Sequence, residues 1–392
     1  MNIKKTKLLG EVVFIDSYFK GLNGAPKSML SLANGLHNKG HTVTVASTKF
    51  DGLLTKAEDL NLNVKNLNTP TLLLRSRKDF SLPNKISYMF VLLYYWFFQL
   101  IKIKFNKFDT ICINDIRSFL LLFPILLLNK NKIIWYVRIN ERIKLISSLA
   151  AFLSKEIILI SSDCIDVLSH TERNRYSKKI SILHTGFNFN EVCKEKVIEI
   201  EKSIPNKNGN VYITVGSVCP RKNQMEIIQS FNEVCENDDL LLLIGSATSN
   251  EDLIYENEMN SKISELNLEN QIIRVPHTPY VHEYLSISDI FLFASHKEGL
   301  PRVAIEALHS GCFVCSSLVD GIRDIIDDSN KGLVTSVKSN DPRFHSEFVN
   351  NIFSIDKSQL SERDLRKKYI SKKFGYDEFI SGFEKIAFNK DV

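Results

Sequence analysis

Between Asp289 and Gly311 the chain reads DIFLFASHKEGLPRVAIEALHSG. The run Asp289–Ser295 is apolar without alternation, the pattern of a parallel strand buried on both faces. His296-Lys297-Glu298-Gly299 is a short polar turn. Pro301 suits the first position of a helix, where its missing N–H would have no partner anyway. Ala304, Ile305, Ala307 and Leu308 carry an apolar helical face, and Gly311 stands where that helix would stop. Strand, glycine turn and helix in this order point to a parallel α/β sheet. They also place free N–H groups of Gly299 and Leu300 at a helix N-terminus, which can bind an anion such as a diphosphate. Glu298 and Glu306 flank the place, on the order of 10 Å apart at ~1.5 Å per residue. That is too far for two carboxylates sharing one proton. It is a good span for gripping two ends of one elongated ligand. Standing alone, two glutamates would read as solvated charges; the strand, turn and helix around them favour binding.

The same alternation recurs along the chain. Val12–Asp16 reads as a first strand, followed by a flexible turn at Gly21 and Gly24. Pro26 opens a helix carrying Met29, Leu30, Leu32, Ala33 and Leu36, Gly40 ends it, and Thr42–Ala46 is the second strand. Further strands are expected at Asn63–Leu67, Phe108–Asn114, Lys132–Val137, Glu156–Ser161 and Lys179–His184, with helices at Ser118–Leu128 and near Asp163–Ser169. A second series runs through Val211–Gly216, Leu240–Gly245, Gln271–Val275, Asp289–Ala294 and Cys312–Ser317. The stretch 191–209 is rich in Lys, Glu and Asn without an apolar period, and reads as a connection. The expectation is two doubly wound, Rossmann-like parallel-sheet domains, 1–190 and 210–372, facing across a cleft. A length of 392 residues suffices for both.

Charge is distributed unevenly. Residues 1–185 hold 27 Lys and Arg against 13 Asp and Glu, a net of +14, and the remainder has a net of −9. The basic half points to an anionic surface. No nucleic-acid recognition motif is present, so an acidic phospholipid surface fits better. The basic segment Arg75-Ser76-Arg77-Lys78 precedes Ile86–Ile101, sixteen residues without a charge, and Lys102, Lys104 and Lys107 follow. Three readings stand for that run: a helix packed in the first domain, a helix lying in the membrane interface with Trp96, Phe97 and Phe98 partly buried there, or a span. Sixteen residues cover roughly 24 Å, short of a ~30 Å hydrocarbon core. Seven cysteines at irregular spacing suggest reduced thiols in the cytoplasm. Cys312-x2-Cys315 is a lone pair in an apolar run, and reads as core packing rather than a zinc site. The start of the chain is interrupted by Glu11 and Asp16, and reads as a strand rather than a signal peptide. His277, His282, His296 and His309 fit no metal-ligand spacing, and His309 reads as a helix-surface group.

The Glu-x7-Glu of EGLPRVAIE resembles the signature of the family-4 retaining glycosyltransferases, which have the GT-B fold. The resemblance spans nearly the whole chain and is strongest over Val211–Asp341. It implies that Glu298 holds the hydroxyls of a donor sugar, that the backbone at Gly299, Leu300 and Pro301 meets the diphosphate, and that Glu306 holds the nucleotide ribose. In SVCPRKNQ, after the strand Val211–Gly216, Lys222 matches the family's diphosphate lysine. Such a point charge suits a leaving phosphate. The family's arginine is Ser217 here; Arg221 substitutes for it, or a second phosphate contact is lost. Without that context Arg221 and Lys222 would be solvated surface charges. Gly24 matches a turn glycine beside the diphosphate, although alone it would be a plain loop glycine. Many members have a His where this chain has Arg138, so no catalytic group is carried over there. HTGFN, His184–Asn188, resembles the closing turn of the first domain, with His184 a core or turn residue. The tail from Lys373 resembles a terminal helix that crosses back to the first domain.

What the resemblance implies is transfer of a sugar, with retention, from a nucleoside-diphosphate sugar to a saccharide acceptor; the basic first domain and its aromatic run suggest that this acceptor is lipid-linked. The first domain would take the acceptor, and the setting would be bacterial surface-polysaccharide assembly, peripheral at the inner face of the cytoplasmic membrane. No cofactor is expected, and no metal, since the chain contains no Asp-x-Asp. Two alternatives are a related phosphorylase or hydrolase, and a non-catalytic sugar-nucleotide-binding subunit.

Overall fold

The computed structural model describes residues 9–19, 24–75, 82–102, 105–189, 191–205 and 208–388. Gly21, Ser76, Arg77, Lys78 and Lys104, singled out above, lie outside them. The chain divides into two units, residues 1–186 with 376–392, and residues 187–375.

In the first unit seven strands form one sheet: β1 (Glu11–Asp16), β2 (Thr42–Ser47), β3 (Asn63–Asn66), β4 (Thr110–Ile113), β5 (Ile133–Val137), β6 (Glu156–Leu159) and β7 (Ile180–Ile182). Their order is β3-β2-β1-β4-β5-β6-β7, every pair parallel. Strands such as IIWYV, buried at every position, are what a sheet covered on both faces requires. The chain runs outward from β1 in one direction and resumes on its other side at β4. The β1–β4 border is therefore a topological switch point, the usual ligand crevice of such sheets.

The helix Tyr376–Phe388 belongs to this unit although it comes last in sequence. Phe383 packs on Phe14 of β1 at 5.5 Å between ring centroids. Glu384 accepts from Lys39 Nζ at 2.7 Å and lies 2.9 Å from His41 Nε2.

The second unit repeats the plan with β8 (Val211–Val215), β9 (Leu240–Ile244), β10 (Ile272–Val275), β11 (Ile290–Phe293), β12 (Phe313–Ser316) and β13 (Gly332–Val334). The order is β10-β9-β8-β11-β12-β13, again wholly parallel. Its switch point lies between β8 and β11. Its core gathers Ile227, Phe231, Leu241, Leu292, Phe313 and Phe348. Two doubly wound parallel sheets with flanking helices are the expected fold class.

Local differences from the sequence reading have physical reasons. β13 was not expected: it is a three-residue edge strand, too short to show a period. The helix expected to open at Pro26 starts two residues earlier, at Gly24, because a first-turn proline forfeits no intrahelical bond. Ser118–Leu128 is two helices, Ile116–Leu121 and Phe123–Leu128, parted at Leu122 where Pro124 cannot continue the first. The stretch 191–209 contains a helix, Lys194–Ser203, inside the second unit. Only Ile200 of that helix is buried, so no apolar period marked it.

The run Ile86–Ile101 lies in the helix Leu82–Lys102 and divides its apolar residues between two faces. Leu92, Tyr95 and Gln99 are buried, Tyr95 donating to Leu67 O at 3.1 Å and Gln99 Nε2 to the same carbonyl at 2.8 Å. Trp96 donates to Leu120 O at 3.0 Å and stacks obliquely on Phe123, so it serves the domain interior. Ile86, Met89, Phe90, Leu93, Tyr94 and Phe97 face outward, Phe90 and Phe97 being 69% and 66% exposed. Among the described residues no helix is long and apolar enough to cross a membrane. All seven cysteines are unbridged, and Cys312 and Cys315 are buried in the core. His184 Nδ1 lies 2.9 Å from Ile160 O. His309, expected on a helix surface, is half-buried and stacks on Phe189 at 3.8 Å. Burial holds its pKa down at about 4, with Lys367 and His282 adding to the effect.

Candidate active site

Two turns meet at the carboxyl ends of β8 and β11. The first runs from Gly216 to Asn223, with Pro220–Lys222 as one 3₁₀ turn. Asn223 ends it in the left-handed conformation, φ 54°, a place that asparagine tolerates better than most residues, and the helix Gln224–Val234 begins at once. The second runs from Ala294 to Pro301. His296 N donates to Arg221 O at 2.9 Å and ties the turns together. Beneath them Ser295 is fully buried, its carbonyl accepting from Ser317 Oγ at 2.9 Å and Ser339 Oγ at 3.1 Å. Ser339 Oγ also lies 2.7 Å from His296 Nδ1 and so ties His296 to the same frame.

On this frame three donors converge on one oxygen. Glu298 Oε1 accepts from Lys222 Nζ at 2.8 Å, Arg221 Nη1 at 2.8 Å and Ser295 Oγ at 2.9 Å. Arg221 Nη1 also reaches Lys297 O at 3.1 Å. Burial alone would push the Glu298 carboxyl up. The Lys222 ammonium, its hydrogen bond, Arg221 and Ser295 outweigh burial and hold it below the ordinary glutamate range. Glu298 is thus an anion at neutral pH. Lys222 Nζ also lies 5.2 Å from the Phe293 ring centroid, over the last residue of β11. Lys222 and Glu298 are mostly covered, whereas the Arg221 side chain is half exposed.

The following helix is Arg302–His309, so Pro301 stands one place before it as N-cap, with φ −72° and ψ 92°. Leu300 and Pro301 are buried and Gly299 half-buried. Gly321 holds this turn close. Its φ is +76°, and a Cβ there would lie 2.6 Å from Gly299 O and 3.1 Å from Leu300 Cα. Any side chain at 321 would displace the backbone of Gly299 and Leu300. Gly311 has φ +94° just past the helix, its N–H donating to Leu308 O at 3.0 Å. Glu306 is half-buried one turn along from Arg302, whose guanidinium lies 4.8 Å from the Phe187 ring.

The structure therefore joins Arg221, Lys222 and Glu298, with Gly299, Leu300 and Pro301 following in the same turn and Glu306 in the helix it feeds. Ser217 shares the turn of Lys222, but its carbonyl is taken by Gln224 Nε2 at 3.0 Å. Gly24 lies in the first unit, where it starts the helix Gly24–Asn38; it is exposed, and a Cβ there would meet nothing within 4 Å. Sequence reading missed Ser295. A serine at a strand end carries no signal until its neighbours in space are known. Among the described residues no three His, Cys, Asp or Glu side chains form a group suited to a metal ion.

Residues 196–368 match the family model for glycosyl transferases group 1. A similar protein is the N-acetylgalactosamine-N,N'-diacetylbacillosaminyl-diphospho-undecaprenol 4-alpha-N-acetylgalactosaminyltransferase of Campylobacter jejuni, 26% identical over 196 residues, 50% of this chain and 48% of that one. Another is the UDP-Gal:alpha-D-GlcNAc-diphosphoundecaprenol alpha-1,3-galactosyltransferase of Escherichia coli, 20% identical over 208 residues, 49% of this chain and 50% of that one. These alignments span about half the length of the curated relatives. Among solved structures, Anabaena Alr3699/HepE in complex with UDP superposes with a TM-score of 0.74 at 14% identity, covering 96% of this chain and 98% of that one. Residues 196–368 are accordingly similar to the group 1 glycosyl transferases, in a chain with the GT-B fold.

Proposed function

We propose that this chain is a retaining, metal-independent glycosyltransferase that moves a sugar from a nucleoside-diphosphate sugar to a lipid-linked saccharide in bacterial surface-polysaccharide assembly. The observation that carries the reading is the convergence of Lys222 and Arg221 on Glu298 at the β8–β11 switch point. Two cations beside a helix N-terminus suit a diphosphate, whose charge grows as the sugar departs. A carboxylate held ionised among them suits sugar hydroxyls, which donate to it. Lys222, with the N–H groups of Gly299 and Leu300 and with Gly24, would stabilise the diphosphate, with Ser217 and Pro301 shaping its turn. Glu298 would orient the sugar and Glu306 the ribose. The side chains themselves supply the positive charge, so the reading calls on no metal. No side chain of the cluster is an obvious nucleophile, and front-side attack, with the leaving phosphate taking the acceptor proton, is the matching route.

The relatives from Campylobacter jejuni and Escherichia coli are named for diphospho-undecaprenol substrates. The first half of this chain is basic, and the helix Leu82–Lys102 turns Phe90, Tyr94 and Phe97 outward. Both features support a peripheral position on an anionic membrane, with Phe90 and Phe97 rather than Trp96 as anchors. The testing experiment is release of nucleoside diphosphate from a panel of nucleotide sugars, with and without lipid-linked saccharide. Acceptor-dependent release supports the transferase. Release into water or phosphate alone indicates a hydrolase or phosphorylase. Binding without release indicates a non-catalytic subunit.

A further inference from the structure

Arg138 follows β5 in the first unit and is 5% exposed. Its guanidinium lies over the Tyr136 ring, 3.5 Å from the centroid. Nε donates to Asn114 Oδ1 at 2.7 Å, and Nη1 to Ser28 Oγ at 3.0 Å and Thr185 Oγ1 at 3.5 Å. Nη2, also buried, has no hydrogen-bond partner among the described residues. Every acceptor on this cation is neutral. The negative group tied to it is Asp16, at one remove: Asn114 Nδ2 donates to Asp16 Oδ2 at 2.7 Å. Burial and the neighbouring Asp115 push the Asp16 carboxyl up to about 7, which reduces even that indirect compensation near neutral pH.

A buried guanidinium with one edge unmet is costly unless something completes it. Core arginines escape that cost differently. Arg366, also buried, spends Nε, Nη1 and Nη2 on the carbonyls of Gly311, Asn330, Gln359 and Leu360. The position of Arg138 matters as well. Asp16 ends β1, Asn114 follows β4 and Arg138 follows β5, so the cluster sits at the carboxyl end of the sheet, at its switch point. Ser28 is the fifth residue of the 15-residue helix Gly24–Asn38, so the Nη1 bond brings the guanidinium to the start of the second turn, near the N-terminal end of that helix. A helix N-terminus and an incompletely bonded arginine both favour an anion.

We propose that Arg138, with Ser28 and Thr185, forms an oxyanion-binding subsite in the first unit, which receives a phosphoryl or carboxylate group carried by a substrate. The subsite is built wholly from first-unit residues, the Lys222–Glu298 cluster from second-unit residues, and the proposal does not depend on the reading given to that cluster. Asn114 and Tyr136 fix the guanidinium plane, and Nη2 offers its two N–H groups to the ligand.

The test measures calorimetric binding of inorganic phosphate and, separately, of acetate at constant ionic strength. The full chain carries Lys222→Ala, so that the second unit competes less for anions. Arg138→Gln and Arg138→Lys are then added in turn, with circular dichroism confirming the fold of each. At least one anion is expected to saturate a single site; phosphate preference identifies a phosphoryl ligand and acetate preference a carboxylate. Arg138→Gln should weaken binding at least tenfold. Arg138→Lys, which keeps the charge but loses the planar fork, should weaken it about threefold. No saturable binding of either anion overturns the subsite, as does unchanged affinity in either variant that folds. Intact nucleoside diphosphate release beside that result would leave the transferase reading standing.

Discussion

At the β8–β11 switch point two cations meet a carboxylate directly, Lys222 and Arg221 both at 2.8 Å from Glu298 Oε1. At the β1–β4 switch point the buried cation, Arg138, reaches Asp16 only through Asn114. The sheets are built alike, and the electrostatics differ in kind. In the second unit charge is balanced by partners that can be exchanged: an incoming diphosphate can take Lys222 and Arg221 from Glu298 and leave that carboxylate for hydroxyl donors. In the first unit the cation is fixed by neutral groups, so an anion that completed it would not have to break an ion pair. Topology thus chooses the crevice, and the residues at the strand ends decide what it holds.

The largest expected effect comes from Lys222→Ala. Losing one electrostatic donor at a developing charge costs about 10²-fold in kcat or more. The fold should survive, because the residue stands in a turn outside the strands. Steady-state kinetics with the preferred donor makes the check. Near-normal turnover would break the contrast between the two crevices and move the role to Arg221.

The contrast extends to the two surfaces, basic in the first half of the chain and acidic in the second. Wild-type protein should sediment with anionic liposomes at low salt and be partly released at high salt, since each basic residue near such a surface contributes on the order of 1 kcal/mol and exposed charges are screened within ~8 Å. Replacing Phe90 and Phe97 with Glu should lower binding severalfold and leave circular dichroism unchanged. Equal sedimentation of wild type and variant, or none by the wild type, would remove the interfacial role of the helix Leu82–Lys102.

A smaller effect concerns Asp16. Burial, with Asp115 beside it, raises its carboxyl pKa to about 7 in the folded state, well above the ordinary aspartate range. The folded protein therefore binds more protons than the unfolded one between about pH 4 and 7. Stability should fall as pH rises through that window, and the loss should be complete above it. Asp16→Asn should flatten this part of the profile, read as urea midpoints from pH 4 to 8. An equally steep profile in the variant would exclude Asp16 as the cause.

Much of this was legible in the sequence because strand and helix periods are local. DIFLFAS, VYITVG and LLLLIG announce buried parallel strands, and Glu298, Lys222 and Arg221 sit at strand ends where such sheets bind ligands. Other features are set by neighbours distant in sequence. Ser295 matters only because Glu298 folds back over it. The unmet edge of Arg138 follows from Asn114, Ser28, Thr185 and Tyr136, which the chain gathers from four separate places. The helix Lys194–Ser203 stayed hidden because one buried residue makes no period. Trp96 looked like its aromatic neighbours, and only the fold shows that it points inward to Leu120.

The central claim, that the β8–β11 cluster holds a diphosphate with its cations and a sugar with Glu298, is tested most directly by calorimetric titration of the nucleoside diphosphate into wild type, Lys222→Ala, Glu298→Gln and Glu306→Gln. Lys222→Ala should weaken binding at least tenfold. Glu306→Gln should weaken it severalfold, as the loss of one hydrogen bond worth about 1 kcal/mol requires. Glu298→Gln should bind as well as wild type or better, because the carboxylate that competes for Lys222 and Arg221 is gone. Equal weakening by Glu298→Gln and Glu306→Gln, or undiminished binding by Lys222→Ala, would contradict the account.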